Sequence, residues 1–260
     1  MLTEHSVAEA AHAAGLPVPA SFVDATGSTN ADLMAAADAD APEWSVLVAG
    51  HQTAGRGRLG RAWEEPPGSS LLVSVLLRPS MPPAKAPLAS LAAALAVAEA
   101  IGIAAAGLPA RCEWPNDVVT AEGRKLAGVL VESRTTGNRL LHVVVGAGVN
   151  LTQAPGDLPG QTRLQPTSVV IEGAPADAQG LLTAYLRRLA HWYDRAGFQP
   201  AVRDAFRRRC STIGRRVRAT TVDGTTVEGE ATAIGELGEL IVATPAGEVA
   251  VSSGELERLA

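Results

Sequence analysis

With 260 residues, 47% of them hydrophobic, the chain is globular and long enough to bury one large or two modest cores. Its 22 Lys and Arg against 27 Asp and Glu leave a formal charge of -5, which removes any overall drive toward nucleic acid or anionic membrane and leaves cationic binding to local sites. The N-terminus carries Glu4 and Glu9 and no basic run, unlike a secretory signal, and the apolar run from Leu88 meets Glu99 short of a bilayer span, so a cytoplasmic chain without membrane contact is expected, its Cys112 and Cys210 ordinary core thiols.

In chain order, "TGSTN" (Thr26 to Asn30) opens a helix over 28–39, where Thr29 and Asp32 fit a capping box. Five small or polar residues exceed what a cap needs, and hydroxyls, an amide and free helix N–H groups together suit a polar ligand head. A strand is expected over 44–50, then the stretch "TAGRGRLGRAW" from Thr53 to Trp63. Gly55, Gly57 and Gly60 match a dinucleotide fingerprint, but Pro66, Pro67 and Gly68 stand where its helix would run, and no Gly-Lys-Ser/Thr follows, so neither a Rossmann turn nor a Walker A loop fits. The stretch reads as a loop, either a solvated basic hairpin or a site in which guanidinium forks capture phosphate or carboxylate while glycines admit the ligand.

Strands follow over 69–79, 125–133 and 140–150, and helices over 86–101 and 177–196, the last through Leu182, Tyr185, Leu186, Leu189 and Tyr193. Between them "EWPNDVV" (113–119) reads as a strand-ending turn, and "GAGVN" (146–150) as a strand running into a tight turn. From Val217 the chain alternates in short β pieces, with Asp223-Gly224 as a hairpin signal, closing into a small SH3-like β-barrel. The expected fold is α+β: a mixed sheet flanked by helices over 1–212, then the barrel over 213–260.

Taken together, T-G-S-T-N, Q-T-A-G-R-G-R-L-G-R-A-W, W-P-N-D, K-L-A-G and G-A-G-V-N resemble the biotin protein ligases, the biotin-[acetyl-CoA-carboxylase] ligases, over roughly residues 24–152 and into the β-rich tail. The resemblance implies a biotin/lipoate ligase-like catalytic domain that condenses biotin with ATP to biotinyl-5'-AMP, with Mg²⁺, and passes biotin to a lysine of a biotin carboxyl carrier domain. It places Ser28, Thr29, Asn30 and Gln52 on biotin, and Arg56, Gly57 and Arg58 over the biotin carboxylate and adenylate phosphate. Lys125 would contact both reacting groups. Arg61, Trp63, Asn116 and Asn150 would lie on the nucleotide side, with Asp117 as catalytic carboxylate and Mg²⁺ ligand.

That chemistry explains the residue types. Two anions must meet, so cations such as Arg58 and Lys125 must offset their repulsion and stabilise the transferring group, and an arginine lid would keep water from the mixed anhydride. One departure is Glu113, where the family usually has a basic residue: either ATP is held more weakly, or Glu113 pairs with Arg111 or Arg124. Few residues precede T-G-S-T-N, too few for a winged helix-turn-helix, so DNA binding is not expected. The rivals are a lipoate or octanoate ligase, which shares the fold, and an RNA-contacting module built on the arginine loop and Arg207, Arg208, Arg209, Arg215, Arg216 and Arg218. His51, in no triad or metal spacing, reads as a pocket-lining or surface side chain.

Overall fold

The computed structural model describes residues 2–18, 20–160, 162–194, 197–198, 200–221 and 223–259. Its first part runs α1 (Glu4–Ala13), β1 (Ala20–Val23), α2 (Thr29–Asp38), β2 (Val46–Ala49), β3 (Ser70–Leu77), α3 (Pro87–Ala104), β4 (Ala110–Glu113), β5 (Asp117–Thr120), β6 (Lys125–Thr136), β7 (Arg139–Asn150), α4 (Ala178–Trp192), the short pair β8 (Tyr193–Asp194) and β9 (Gly197–Phe198), and α5 (Ala201–Arg209). Seven strands form one sheet in the order β1-β2-β3-β7-β6-β5-β4. Only β1 and β2 are parallel, so the sheet is mixed as expected.

The two faces of this sheet differ because side chains alternate along each strand. Val73, Val75 and Leu77 of β3, with Val143 and Val145 of β7, face the main core under α3, α4 and α5. Their neighbours Leu76 and Val144 face the other way, against Leu33 and Ala37 of α2. On that same second face, by the same alternation, lie Ser74, Gly128, Gly146 and Gly148.

Helix α3 is apolar around its circumference and is buried from Leu91 to Ala98, with Ile103 exposed near its end. Together with the turn before it, residues 83–104 are long and apolar enough by composition to cross a membrane, contrary to the shortfall expected at Glu99. The helix is instead packed inside the fold, and Glu99 is satisfied there by Arg188 Nε at 2.6 Å and Trp192 Nε1 at 2.9 Å.

The last part contains β10 (Arg216–Thr220), β11 (Thr226–Ile234), β12 (Leu240–Thr244), β13 (Gly247–Val251) and β14 (Glu255–Arg258), an antiparallel sheet in the order β13-β12-β11-β10-β14. It docks on the first part through Trp114, fully buried, whose indole Nε1 donates to Gly238 O at 2.9 Å and whose backbone N–H donates to Thr212 Oγ1 at 3.1 Å.

Three local expectations are corrected. The N-cap of α2 is Ser28, without a side-chain cap bond, and the Thr29–Asp32 capping box does not form: Asp32 accepts from Thr26 Oγ1 at 2.5 Å, while the Thr29 N–H is taken by Gln52. The helix expected to 196 stops at Trp192, where Tyr193 is already extended; its expected end at Arg195 and Ala196 lies outside the described residues. Residues 113–119 are more than a strand end, because β4 and β5 flank the turn. Cys112 and Cys210, distant in sequence, are bridge partners and both are buried free thiols.

Candidate active site

On the second face of the sheet lies a cavity of about 440 Å³, a size suited to a small ligand. Every site residue named from the sequence lines it: Ser28, Thr29, Asn30, Gln52, Arg56, Gly57, Arg58, Arg61, Trp63, Asn116, Asp117, Lys125 and Asn150. The floor is cleared by glycines. Gly128 and Gly148 are register partners on β6 and β7, and the Trp63 indole lies over both: a Cβ on Gly148 would come within 2.7 Å of the ring, and one on Gly128 within 3.2 Å. Gly146, two residues before, makes room for the Asn30 amide, which a Cβ would meet at 2.2 Å. The "GAGVN" glycines therefore sit inside β7 and keep its surface flat, rather than making the tight turn read from the sequence.

Above Gly146 the side chains form a buried polar relay. Gln52 Oε1 accepts from the Thr29 N–H at 2.9 Å and Oγ1 at 3.1 Å, and Ser74 Oγ lies 2.7 Å from both Thr29 Oγ1 and Asn30 Oδ1. Asn30 Nδ2 donates to Glu132 Oε2 at 2.9 Å, which also takes Arg56 Nη2 at 3.0 Å. Gln52 is itself braced from behind, since Glu65 Oε1 accepts its backbone N–H at 3.0 Å and contacts His51 Nδ1 at 3.0 Å. Burial pushes the Glu65 carboxyl above its ordinary value, against the pull of Gln52 and His51. His51 thus acts on Gln52 through Glu65.

The arginine stretch is a hairpin, with Arg56 bridged to Ala62, Gly57 N donating to Arg61 O at 2.7 Å and Trp63 N to Gly55 O at 2.9 Å. At its tip Leu59 and Gly60 both have positive φ, 57° and 74°. Arg58 turns inward and donates to Asn116 Oδ1 at 3.2 Å. Burial pushes its guanidinium below the ordinary value, Asp117 opposing and Arg61 and Arg163 adding to the effect. A partly desolvated cation is one whose field is little screened.

Lys125 opens β6 and is held by backbone bonds on both sides, to Gln165 O and from Thr167 N, each 2.8 Å. Its Nζ lies 2.7 Å from Asp117 Oδ1 and 5.8 Å from the Trp63 ring centre. Asn150 clamps the same segment, donating to Thr167 O at 2.9 Å. Asp117 Oδ2 takes Arg163 Nη2 at 2.7 Å, so both its oxygens are ion-paired. Among the described residues no three His, Cys, Asp or Glu side chains gather as metal ligands. The small sheet closes one wall with Gly254, Glu255 and Leu256, and Glu255 pairs with Arg61.

Glu113 does not pair with Arg111 or Arg124. Arg124 is engaged by Glu172 and Glu122, while the fully buried Glu113 carboxylate receives Arg258 Nε at 3.0 Å, Arg258 Nη2 and Ser211 Oγ at 2.6 Å. Its partner is thus in β14, about as far along the chain as a partner can be. Arg218 is paired with Glu228 and Glu257, and Arg207, Arg208 and Arg209 close the last turn of α5, where cations suit the helix dipole.

Residues 24–150 match the biotin/lipoate A/B protein ligase family and residues 212–258 the biotin protein ligase C-terminal domain. Over 239 residues the chain is 38% identical to the biotin-[acetyl-CoA-carboxylase] ligase of Mycobacterium tuberculosis, covering 90% of this chain and 86% of that one. The chain belongs to the biotin protein ligase family. The ligase of the same name from Paracoccus denitrificans is 38% identical over 242 residues, 89% of this chain and 97% of that one. A biotin protein ligase from Aquifex aeolicus in complex with biotin and ATP has the same fold, with a TM-score of 0.76 and 25% identity over 92% of this chain and 99% of that one. This biotin ligase brings the site residues named from its motifs to one cavity. Sequence reading missed Ser74, Glu132, Arg163 and Glu255, none of which lies in a motif.

Proposed function

We propose that this biotin ligase joins biotin to ATP in the cavity described above, forming biotinyl-5'-AMP, and then passes biotin to a lysine of a biotin carboxyl carrier domain. The observation that carries this reading is the order of side chains along the flat floor. The Thr29–Gln52–Asn30 relay lies at Gly146, Trp63 at Gly148, and Lys125, Asp117 and Asn116 beside Gly128. A ureido head with donors and acceptors suits the first, a flat apolar body or base the second, and a carboxylate meeting a phosphate the third.

In the first step a biotin carboxylate oxygen attacks the α-phosphorus of ATP and pyrophosphate leaves. Arg58 and Lys125 offset the repulsion of the two anions and stabilise the charge gathered on the transferring group. Asp117 holds Lys125 in place. Arg56, Gly57 and Arg61 close the hairpin over the mixed anhydride, and Trp63, Asn116 and Asn150 line the nucleotide side. In the second step the carrier's lysine amine attacks the acyl carbonyl and AMP departs with its oxygen, the amine losing a proton.

For Mg²⁺ the protein donors do not fit, because Asp117 is already shared by two cations. An ion here would bring its ligands with it, on ATP phosphates and water. A cytoplasmic site of action is supported by the ATP requirement and by α3 being packed inside the fold. The division into domains at residue 212 is supported by the two separate sheets.

Biotin-dependent exchange of labelled pyrophosphate into ATP tests the reading. Exchange with biotin and little with lipoate or octanoate is expected; exchange with lipoate or octanoate alone, or none with any acid, overturns it.

A further inference from the structure

Glu113 and Asp117 are register partners across the β4–β5 hairpin, so both carboxylates leave the same face of the sheet at the same level, and both are almost fully buried. Like charges opposed in this way repel and must be bridged. Arg163 does the bridging. Its Nη2 is 2.7 Å from Asp117 Oδ2, its Nη1 is 3.8 Å from Glu113 Oε1, and the same Nη1 donates to Leu256 O of β14 at 3.0 Å. The far side of Glu113 is filled by Arg258 and Ser211, so Arg163 reaches Glu113 from one direction only.

We infer that Arg163 is a positioning residue for the adenylation step: anchored on the small domain, its guanidinium fork fixes the Asp117 carboxylate so that the other oxygen holds the Lys125 amine over the reaction centre. Asp117 spends one oxygen on each cation. Without Arg163 the carboxylate is free to turn toward Arg58, and the Lys125 amine is released from its fixed direction. A planar fork that meets a carboxylate and a backbone carbonyl at once cannot be replaced by an ammonium, which is a point charge on a flexible stem. The small domain therefore reaches the reactive lysine through Arg163, in addition to lending the cavity a wall.

The test has two arms, and only the kinetic arm rests on the adenylation reading. The chain contains just two lysines, Lys85 and Lys125, so trace acetylation of the full-length protein without substrates reports Lys125 against Lys85 as an internal reference. Arg163→Ala and Arg163→Lys, compared with wild type after thermal unfolding has shown both to be folded, should each raise the Lys125 to Lys85 ratio roughly five- to ten-fold, the range expected when one charge-assisted hydrogen bond is removed. In pyrophosphate exchange both should lower kcat by roughly ten-fold while the KM for biotin stays within about two-fold, the mark of impaired orientation rather than impaired binding. An unchanged or lower ratio in a folded variant overturns the inference, as does Arg163→Lys behaving like wild type, which would leave Arg163 a neutralising charge only. If Arg163→Ala does not fold, Arg163→Lys carries the test alone. Wild-type protein without biotin-dependent exchange would refute the adenylation reading, and the labelling arm would still decide the role of Arg163.

Discussion

The Trp63 indole rests on the bare backbone of Gly148, so closely that a single methyl group would fall 2.7 Å from its Cε2 and Cζ2 atoms. Gly148 has no positive φ, and alanine would suit a strand better than glycine does. Gly148→Ala should therefore melt at the wild-type temperature or slightly above it, while the displaced indole weakens biotin and ATP binding by roughly ten-fold, about 1.4 kcal/mol. Calorimetric titration alongside thermal unfolding reads both quantities. Unchanged affinity would mean that Trp63 does not shape the site.

Lys125 should matter to rate far more than to folding. Its amine is partly exposed and its stem packs beside Gly128, so Lys125→Ala removes little buried surface. One preorganised cation at a developing charge is worth about 3 to 4 kcal/mol, or 10² to 10³ in rate. A folded Lys125→Ala protein with near-normal pyrophosphate exchange would contradict the assigned role.

The arginine hairpin should be ordered by ligand. Its outer arginines are tied by Arg56–Glu132 and Arg61–Glu255, both partly exposed pairs of the kind that contribute about 0 to 1 kcal/mol, and Leu59 at its tip sits in a left-handed conformation unfavourable to leucine. Trypsin should cut the free protein after Arg56, Arg58 or Arg61, and biotin with ATP should slow those cuts markedly; lipoate should protect poorly. Mass spectrometry of the first fragments provides the readout. Equal nicking with and without biotin and ATP would remove the lid from the mechanism.

Acid should destabilise the fold through His142. The ring is buried on β7, and burial holds its pKa below the ordinary value, with Asp38 pulling upward and Arg78 and Arg134 adding to the depression. An unfolded histidine takes its proton near pH 6.5, before the folded one does, so this contribution to stability is present above about pH 6.5 and is lost as pH falls below it. Between about pH 7.5 and pH 5.5, wild type should lose more melting temperature than His142→Gln. Parallel curves would assign the acid sensitivity to other groups.

What the sequence revealed and what it hid divide along a physical line. Ser28, Gln52, Arg58 and Lys125 were legible because each sits in a short run whose composition makes sense only around an anionic or polar ligand. Ser74 and Glu132 were not, since each looks like an ordinary strand residue until the β3–β7–β6 register places it beside Asn30. Glu113 shows the limit most clearly. Local reasoning offered Arg111 and Arg124, the nearest cations in the chain, yet the pairing is set by how β14 docks on β4, 145 residues away. The strands written as long apolar runs, β3 and β7, were placed well. By contrast α1, β1 and α5 were not anticipated, and α5 is a short arginine-rich helix whose apolar face amounts to Val202, Ala205 and Phe206.

The cavity is lined from Ser28 at one end of the chain to Leu256 at the other. The large sheet, the glycine floor and the polar relay are built from residues up to 150, whereas Glu255 beside Arg61 and the Leu256 carbonyl that anchors Arg163 come from β14. Without β14 the pocket would be open to water on one side and the reactive lysine would lack its full brace. A mixed anhydride formed there would be free to escape and acylate neighbouring amines. With its final wall in β14, the cavity is complete only when the small sheet is docked on the large one, so retention of a reactive intermediate depends on both sheets.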